Sequence, residues 1–331
     1  MGMETVLVVG GTGFIGTAVV RQLRSRGRGS ARPQIRVLSS RTPPETDPAD
    51  DVRYVRADLT QPETLDGVCT GVTTLLHTAS YVGRDPVRCE AVNHLGTLAL
   101  LAEAHRAGVD RIVYVSTTSV YGPGPHRGVR ELQQAPAPAS PASASRLRAE
   151  RAVLDAGGLV LRPHLVYGRG DVWVVPTLAG LLARVPGWPA GAMPRSSMVS
   201  VDDLARCAVS LACGAKAPTG PDVYHVADPE PVPMDRLLSA MHRVLGLPLP
   251  QYGEPAYAHR ARTARAMPGL TDHQYALLTR DHWYDCDRVW ARTGEHPGPG
   301  FEQRFAEYRS WYLRHLTGTG RSSPAGPITG R

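Results

Sequence analysis

Lysine is almost missing from this chain: Lys216 is the only one among 331 residues, and every other strongly basic side chain is an arginine. That usage reads first as the coding bias of a GC-rich bacterial genome, but it also removes a titratable ammonium from any site elsewhere in the sequence. The five cysteines, Cys69, Cys89, Cys207, Cys213 and Cys286, include no CxxC pair and are odd in number. Zinc-ligand spacing is therefore lacking, and reduced, mostly buried thiols are the expectation. No apolar run approaches the roughly 18 residues of a membrane span. The first strand begins by about Thr5, which leaves no room for a secretory leader, so a cytoplasmic location is expected. A basic stripe interleaved with aromatics is also lacking, which argues against a nucleic-acid partner. The net charge of +7 instead suits a small anionic ligand.

The chain is long enough to bury a large core. Its first half alternates short apolar runs with longer helical patterns, the signature of a parallel sheet covered on both faces. Strands are expected at Val6–Val9, Ile35–Ser39, Val52–Val55, Val72–His77, Arg111–Ser116 and Leu159–Arg162. Helices are expected at 14–26, 86–107 and 142–156, the second with Ala91, Leu95, Leu98, Ala99 and Ala102 on its apolar face. Residues 122–143 have the Pro, Ala and Ser content of a loop. Further on, a helix at 202–213 has Asp202 or Asp203 suited to its N-terminus. A strand at 223–226 and helices at 234–245 and 302–315 follow. The fold class is α/β: a Rossmann-type doubly wound parallel sheet in residues 1–168, and a smaller substrate-binding part in 169–316 that returns some segments to the core. Residues 317–331 lack apolar periodicity and read as a disordered tail.

Directly after the first strand comes Gly10-Gly11-Thr12-Gly13-Phe14-Ile15-Gly16. Gly10, Gly13 and Gly16 permit a tight turn, a close backbone approach to a pyrophosphate and close packing of helix on strand. The N–H groups that open the helix then face the phosphates. Thr12, Phe14 and Ile15 belong to the same turn. The strand–turn–helix setting is what makes the motif specific for a dinucleotide. The second strand ends in Ser39-Ser40-Arg41. A carboxylate there would select NAD through the ribose 2′-hydroxyl; hydroxyls and a guanidinium suit a 2′-phosphate, so NADP(H) is the expected cofactor. Asp58 is placed either to bind the adenine amino group or to cap a turn.

With these residues in view, the chain resembles the extended short-chain dehydrogenase/reductases, the group containing sugar-nucleotide epimerases and many ketoreductases. The likeness runs from about residue 4 to 316. Besides the glycine turn it rests on Ala57-Asp58-Leu59, His77-Thr78-Ala79-Ser80, Val92-Asn93 with Gly96-Thr97, Val115 to Gly122, Leu161-Arg162-Pro163 leading to Tyr167-Gly168, and Met198 to Leu204. The resemblance implies that Leu59 and His77 to Ser80 line the cofactor cleft, with Asn93 on the helix behind it. It implies that Thr117 orients the substrate carbonyl, with Ser119 close by. Pro163, His164 and Val166 would run beside the nicotinamide.

One departure is as clear as the match. Members of the group carry a tyrosine and a lysine four residues apart, followed by Leu-x-x-Glu on the same helix. Arg146-Leu147-Arg148-Ala149-Glu150 supplies that ending here, so the tyrosine position falls on Ala142. Alanine can neither donate nor accept a proton. Arg146 stays charged and can hold a ribose hydroxyl or a phosphate, but it does not titrate usefully. Tyr121 is the best internal substitute for the missing acid, although its position commonly has a structural role in the family. His164 can donate a proton or simply pack. Tyr284 and Arg288 repeat the four-residue spacing far downstream and read as structural.

A positioned general acid contributes roughly 10²–10⁴-fold, or about 3–5 kcal/mol. A substrate can supply that term itself if a phenol lies hydrogen-bonded beside the ketone, because hydride addition then leaves a delocalised phenolate. The pattern resembles that of atypical, tyrosine-lacking reductases of aromatic polyketides. Trp173, Trp188, Met193, Met198 and Trp283 are candidates to line a flat apolar pocket or are ordinary core and surface residues. Arg195 faces either an anionic group or solvent. Three readings stay open: an NADPH-dependent ketoreductase of an aromatic ketone, a nucleotide-sugar epimerase or dehydratase, and a non-catalytic NADP sensor. No metal site is expected.

Overall fold

Val6 to Val9 are fully buried, which is why the first strand reads as an unbroken apolar run: a parallel strand covered on both faces has no polar side. The computed structural model describes residues 4–26, 32–40, 51–191, 193–214 and 220–318. Seven parallel strands form its central sheet, in the order Asp222–Val226, Leu159–Pro163, Arg111–Val115, Thr74–His77, Thr5–Val9, Gln34–Ser39 and Val52–Arg56. The chain winds outward in both directions from Thr5–Val9. The topological switch point therefore lies between that strand and Thr74–His77, where a crevice opens beyond the carboxyl ends.

Helices cover both faces. Phe14–Ser25 and Val201–Cys213 pack together on one side, contributing Val19, Leu23, Leu204 and Ala208 to its core. Helix Pro141–Asp155 and the helical run from Pro86 to Arg106 cover the other, with Leu100, Ala104, Ala149 and Val153 buried against the sheet. The 86–106 run holds a π-helical stretch, Glu90–Leu95, that apolar periodicity does not reveal. A four-stranded sheet of Val232–Pro233, Arg195–Ser196, His282–Tyr284 and His126–Val129 stands apart from the central one.

Three expectations need correction. The helix at 201–213 is capped by Ser200, whose hydroxyl accepts from Asp203 N–H at 3.0 Å, while Asp202 and Asp203 lie in its first turn. The helix expected at 302–315 is two helices, Phe301–Glu307 and Arg309–Gly318. Tyr308 sits at the break with φ −90° and ψ 1°, and its hydroxyl donates to Asp202 Oδ2 at 2.7 Å. The second helix continues through Gly318, so the tail expected from 317 begins no earlier than 319; residues 319–331 lie outside those described. The strand Asp222–Val226, although late in the chain, completes one edge of the central sheet.

The sheet and helix Pro141–Asp155 are joined by a buried ion pair. Arg162 Nε donates to both carboxylate oxygens of Glu150 at 3.1 Å, and the two residues are 5% and 0% exposed. Breaking one side of such a pair strands the other charge in the interior. Glu150→Gln is expected to cost about 3–5 kcal/mol, read from the urea midpoint of the purified protein.

Candidate active site

The glycine turn is built of backbone because side chains do not fit it. Gly10 has φ +78°, and a Cβ there would lie 2.7 Å from Ala79 N, across the switch point. A Cβ on Gly16 would collide with Gly10 O. Gly10 N–H donates to Leu38 O at 3.1 Å and Gly13 N–H to Gly10 O at 2.9 Å, which holds the turn against the second strand. Gly13 then caps helix Phe14–Ser25 with no side-chain hydrogen bond and no acidic residue in the first turn. An uncapped helix N-terminus leaves donors and a partial positive charge for an anion. These residues fit the pyrophosphate of a dinucleotide. Phe14 and Ile15 are half-buried and pack on the core; exposed Thr12 bonds Ser39 Oγ at 3.2 Å.

Of the residues expected to read the adenosine ribose, Ser39 is buried and Ser40 exposed at the strand's end, while Arg41 lies outside the described residues. Asp58 Oδ1 accepts from both Thr60 N and Thr60 Oγ1 at 2.8 Å. That is the turn-capping alternative, and it leaves the other oxygen uncommitted to Thr60. Leu59 is 7% exposed and belongs to the core, against Gly96.

Beyond the fourth strand, the Thr78 hydroxyl donates to Val9 O at 2.8 Å, and Ala79 closes against Gly10. The Ser80 hydroxyl is buried, with no partner among the described residues. Buried Asn93 brackets the next residue: Oδ1 accepts from Tyr81 N at 2.7 Å and Nδ2 donates to Tyr81 O at 2.9 Å, and Nδ2 also donates to Ser145 Oγ at 3.0 Å. His77 bonds Thr97 Oγ1 through Nε2 at 3.0 Å, and burial followed by the Arg146 charge pushes its pKa down to about 3.

Helix Pro141–Asp155 carries half-buried Ala142 and, one turn later, half-buried Arg146, which share a face by the i, i+4 rule. Arg146 Nη2 donates to Val115 O at 3.0 Å, and among the described residues its buried Nε has no partner. The next strand end presents Thr117, which accepts from Ser119 N at 3.1 Å; among the described residues its own hydroxyl proton has no acceptor. Thr117 is thus free to donate to a carbonyl.

A family model described as the NAD dependent epimerase/dehydratase family matches residues 6–227. The chain belongs to that family. It is an NAD(P)-dependent oxidoreductase of the extended short-chain dehydrogenase/reductase superfamily. It is 28% identical over 323 residues to a 2-alkyl-3-oxoalkanoate reductase of Stenotrophomonas maltophilia (strain K279a), covering 90% of this chain and 96% of that one. It is 28% identical over 266 residues, 77% of each chain, to a 4-hydroxy-2-methyl-3-oxo-4-farnesyl-3,4-dihydroquinoline-1-oxide ketoreductase of Stigmatella aurantiaca. A solved structure of MoeE5 in complex with UDP-glucuronic acid and NAD aligns with a TM-score of 0.72 at 23% identity, over 95% of this chain and all of that one. That likeness establishes the fold.

The oxidoreductase has no spare phenol at Tyr121. This side chain is 2% exposed. Its hydroxyl receives Arg162 Nη1 at 2.7 Å and bonds His225 Nε2 at 2.8 Å, and it lies 3.2 Å from Glu131 O as donor. Burial raises its pKa against the opposing pull of Arg162. Tyr121 is locked into the protein, which corrects the expectation that it stands in for the missing acid. Tyr284 stacks on it at 5.6 Å and is likewise buried.

His164 bonds Thr118 Oγ1 through Nδ1 at 2.8 Å, leaves Nε2 buried without a partner, and stacks on His282 at 5.2 Å and 12°. Burial, then the neighbouring His282, His126 and His273, drive its pKa well below the ordinary value. Pro163 is buried and Val166 half-buried. Of the residues offered for an apolar pocket or for core and surface, Trp188 and Met198 belong to one core cluster, half-buried Trp173 packs against it just before helix Val174–Arg184, and Met193 is 52% exposed. Trp283 lies against Gly128. Exposed Arg195 is tied by its backbone N–H to Asp281. Among the described residues, no group of three or more His, Cys, Asp or Glu is arranged to hold a metal, and no helix is long and apolar enough to cross a membrane.

Two outcomes follow. Gly10→Ala forces a left-handed residue against the Ala79 backbone, so dinucleotide binding measured by calorimetry is expected to weaken about tenfold or more, equivalent to about 1.4 kcal/mol. The buried histidines also make stability pH-dependent. Burial lowers His225 and His282 to about 4, so below the ordinary 6.5 the unfolded chain takes up protons that the folded chain refuses. Stability is full above pH 6.5 and declines as pH falls towards 4, by up to about 1.4 kcal/mol per pH unit for each histidine. Urea midpoints measured between pH 7.5 and 5 check this, above the range where ordinary carboxylates titrate.

Proposed function

We propose that this oxidoreductase is an NADPH-dependent ketoreductase that reduces a carbonyl of an aromatic polyketide, with the first proton supplied by a phenol of the substrate. The observation that carries the reading is the pairing of Ala142 with a Tyr121 hydroxyl already bonded to Arg162 and His225. The position that holds an acid elsewhere in the family is a methyl group, and the best nearby phenol is committed to the fold. The pattern resembles that of tyrosine-lacking reductases that tailor aromatic polyketides in actinobacteria, among them the angucyclinone ketoreductase of simocyclinone assembly. A ketoreductase of a bicyclic aromatic ring system among the relatives supports a carbonyl on a fused ring.

In this reading residues 1–168 hold the dinucleotide and residues 169–316 mainly shape the substrate side. Gly10, Gly13 and Gly16 hold the pyrophosphate, with Thr78 and Ala79 behind it. Ser40 and Arg41 receive a 2′-phosphate, consistent with the missing carboxylate at the end of the second strand. When bound, the dinucleotide supplies the hydride. Thr117 donates to the carbonyl oxygen. As the carbon is reduced, the electron pair of the C=O bond moves to oxygen and takes the proton of the neighbouring phenol, leaving an alcohol and a phenolate. Ser80, Ser119, His164 and Trp173 border the ketone. Reaction in the cytoplasm suits such a dinucleotide.

The nucleotide-sugar alternative draws on neighbours solved with UDP-sugars. One experiment separates the readings: NADPH consumption with 8-hydroxy-1-tetralone, with its 8-methoxy ether, and with UDP-glucose in the presence of NAD. The hydroxy ketone is expected to be reduced at least about 10²-fold faster than the ether, and Tyr121→Phe is expected to keep that difference. Equal rates on ketone and ether would overturn substrate assistance, and interconversion of the UDP-sugar alone would select epimerase chemistry.

A further inference from the structure

Charge at the other end of the Ala142 face has no counterpart. Buried Arg162 has Glu150, and Arg304 has Asp203 at 3.0 Å. Arg146 is half-buried, yet among the described residues no carboxylate pairs with it. One of its five N–H groups is used by Val115 O, and Nε is buried without a partner. Of its flanking groups, His77 is held neutral, the buried Tyr114 hydroxyl lies under the influence of both Arg146 and Glu150 and is pushed away from ionisation, and Glu150 is already paired with Arg162. A buried N–H with no acceptor is unfavourable until a ligand or water completes the hydrogen-bonding of its group.

Its location says what that ligand is. Val115 is two residues before Thr117, so Arg146 is anchored at the strand end that presents the carbonyl-orienting hydroxyl. Arg146 also shares its helix face with Ala142, where the proton donor is missing. The phosphates have their own donors at the glycine turn, on the far side of the switch point. What remains to be neutralised near Thr117 is charge created by the reaction.

We propose that Arg146 is a catalytic residue that pairs with the phenolate left on the substrate, an assignment that rests on the ketoreductase reading above. The ketone carbon gains a hydride, which carries both electrons of the reduction, from NADPH, which leaves as NADP⁺. The carbonyl oxygen gains the phenol proton, and the phenol oxygen keeps the O–H electron pair. That negative charge faces the guanidinium until water returns a proton. Arginine suits this task better than lysine because it never gives up its own proton to the phenolate, and its planar fork offers several donors to one or two oxygens.

The test titrates 8-hydroxy-1-tetralone spectrophotometrically in its ternary complex with NADP⁺, where no reduction occurs and the phenolate absorbs at longer wavelength than the phenol. Wild-type protein is expected to lower the phenol pKa by about 1–3 relative to free probe. Arg146→Gln is expected to abolish the shift, and Arg146→Lys to restore part of it, with circular dichroism melts confirming that both variants fold. NADP⁺ affinity, measured by calorimetry, is expected to change less than about threefold in both. An unshifted phenol in wild type, or an equal shift in Arg146→Gln, would overturn the proposal. So would a large loss of NADP⁺ affinity with the phenol unaffected, which would make Arg146 a ribose ligand. The outcome is separable from the substrate reading: failure of turnover on the hydroxy ketone sinks that reading, whereas turnover with an unshifted phenol sinks only the assignment of Arg146.

Discussion

Arg162 lies between Glu150 and the Tyr121 hydroxyl, out of water, and three segments take their positions from it. Glu150 belongs to helix Pro141–Asp155, Arg162 to the strand Leu159–Pro163, and Tyr121 to the turn that follows Thr117. A guanidinium in the interior needs its acceptors in fixed places. Meeting that need sets the rotation of the helix, and with it the face that carries Ala142 and Arg146. It also commits Tyr121, whose other partner, His225, comes from the edge strand of the sheet. The interaction that fixes the candidate site is therefore the same one that denies it an internal phenol.

Chemistry has to fit around that constraint. The chain keeps the hydroxyl that can address a carbonyl, the backbone cradle that can take a pyrophosphate, and a fixed cation where other family members place a lysine. Of the residues weighed as its acid, Ala142 carries no titratable group and the Tyr121 hydroxyl is bonded to Arg162 and His225. His164, bonded to Thr118, is stacked on His282 and kept neutral by burial. Under the proposed reading, the proton that Ala142 does not supply comes with the guest.

Much of the architecture was legible in the sequence because it follows from local regularity. Parallel strands covered on both faces leave continuous apolar runs, and the glycine spacing reports a turn whose steric needs the structure bears out at Gly10 and Gly16. What sequence could not show was set by contacts between distant segments. Arg162 and His225 are 41 and 104 positions from Tyr121, so no motif reveals that its hydroxyl is used up. The division of the last helix at Tyr308 depends on Asp202, 106 positions earlier. For Trp188 and Met198 the sequence left pocket and core both open, because they sit in three-residue strands too short for periodicity to say which way a side chain points; the structure puts them in the core.

Asn93 gives this arrangement a mechanical property. One amide holds the backbone of Tyr81 on one side and Ser145 on the other, and the Ser145 hydroxyl in turn donates to Ala142 O at 3.1 Å. A molecule that pushes on the segment after Ser80 as it enters must strain this three-link chain. The first turn of the helix that carries Arg146 is thereby tied to the crevice segment at Tyr81.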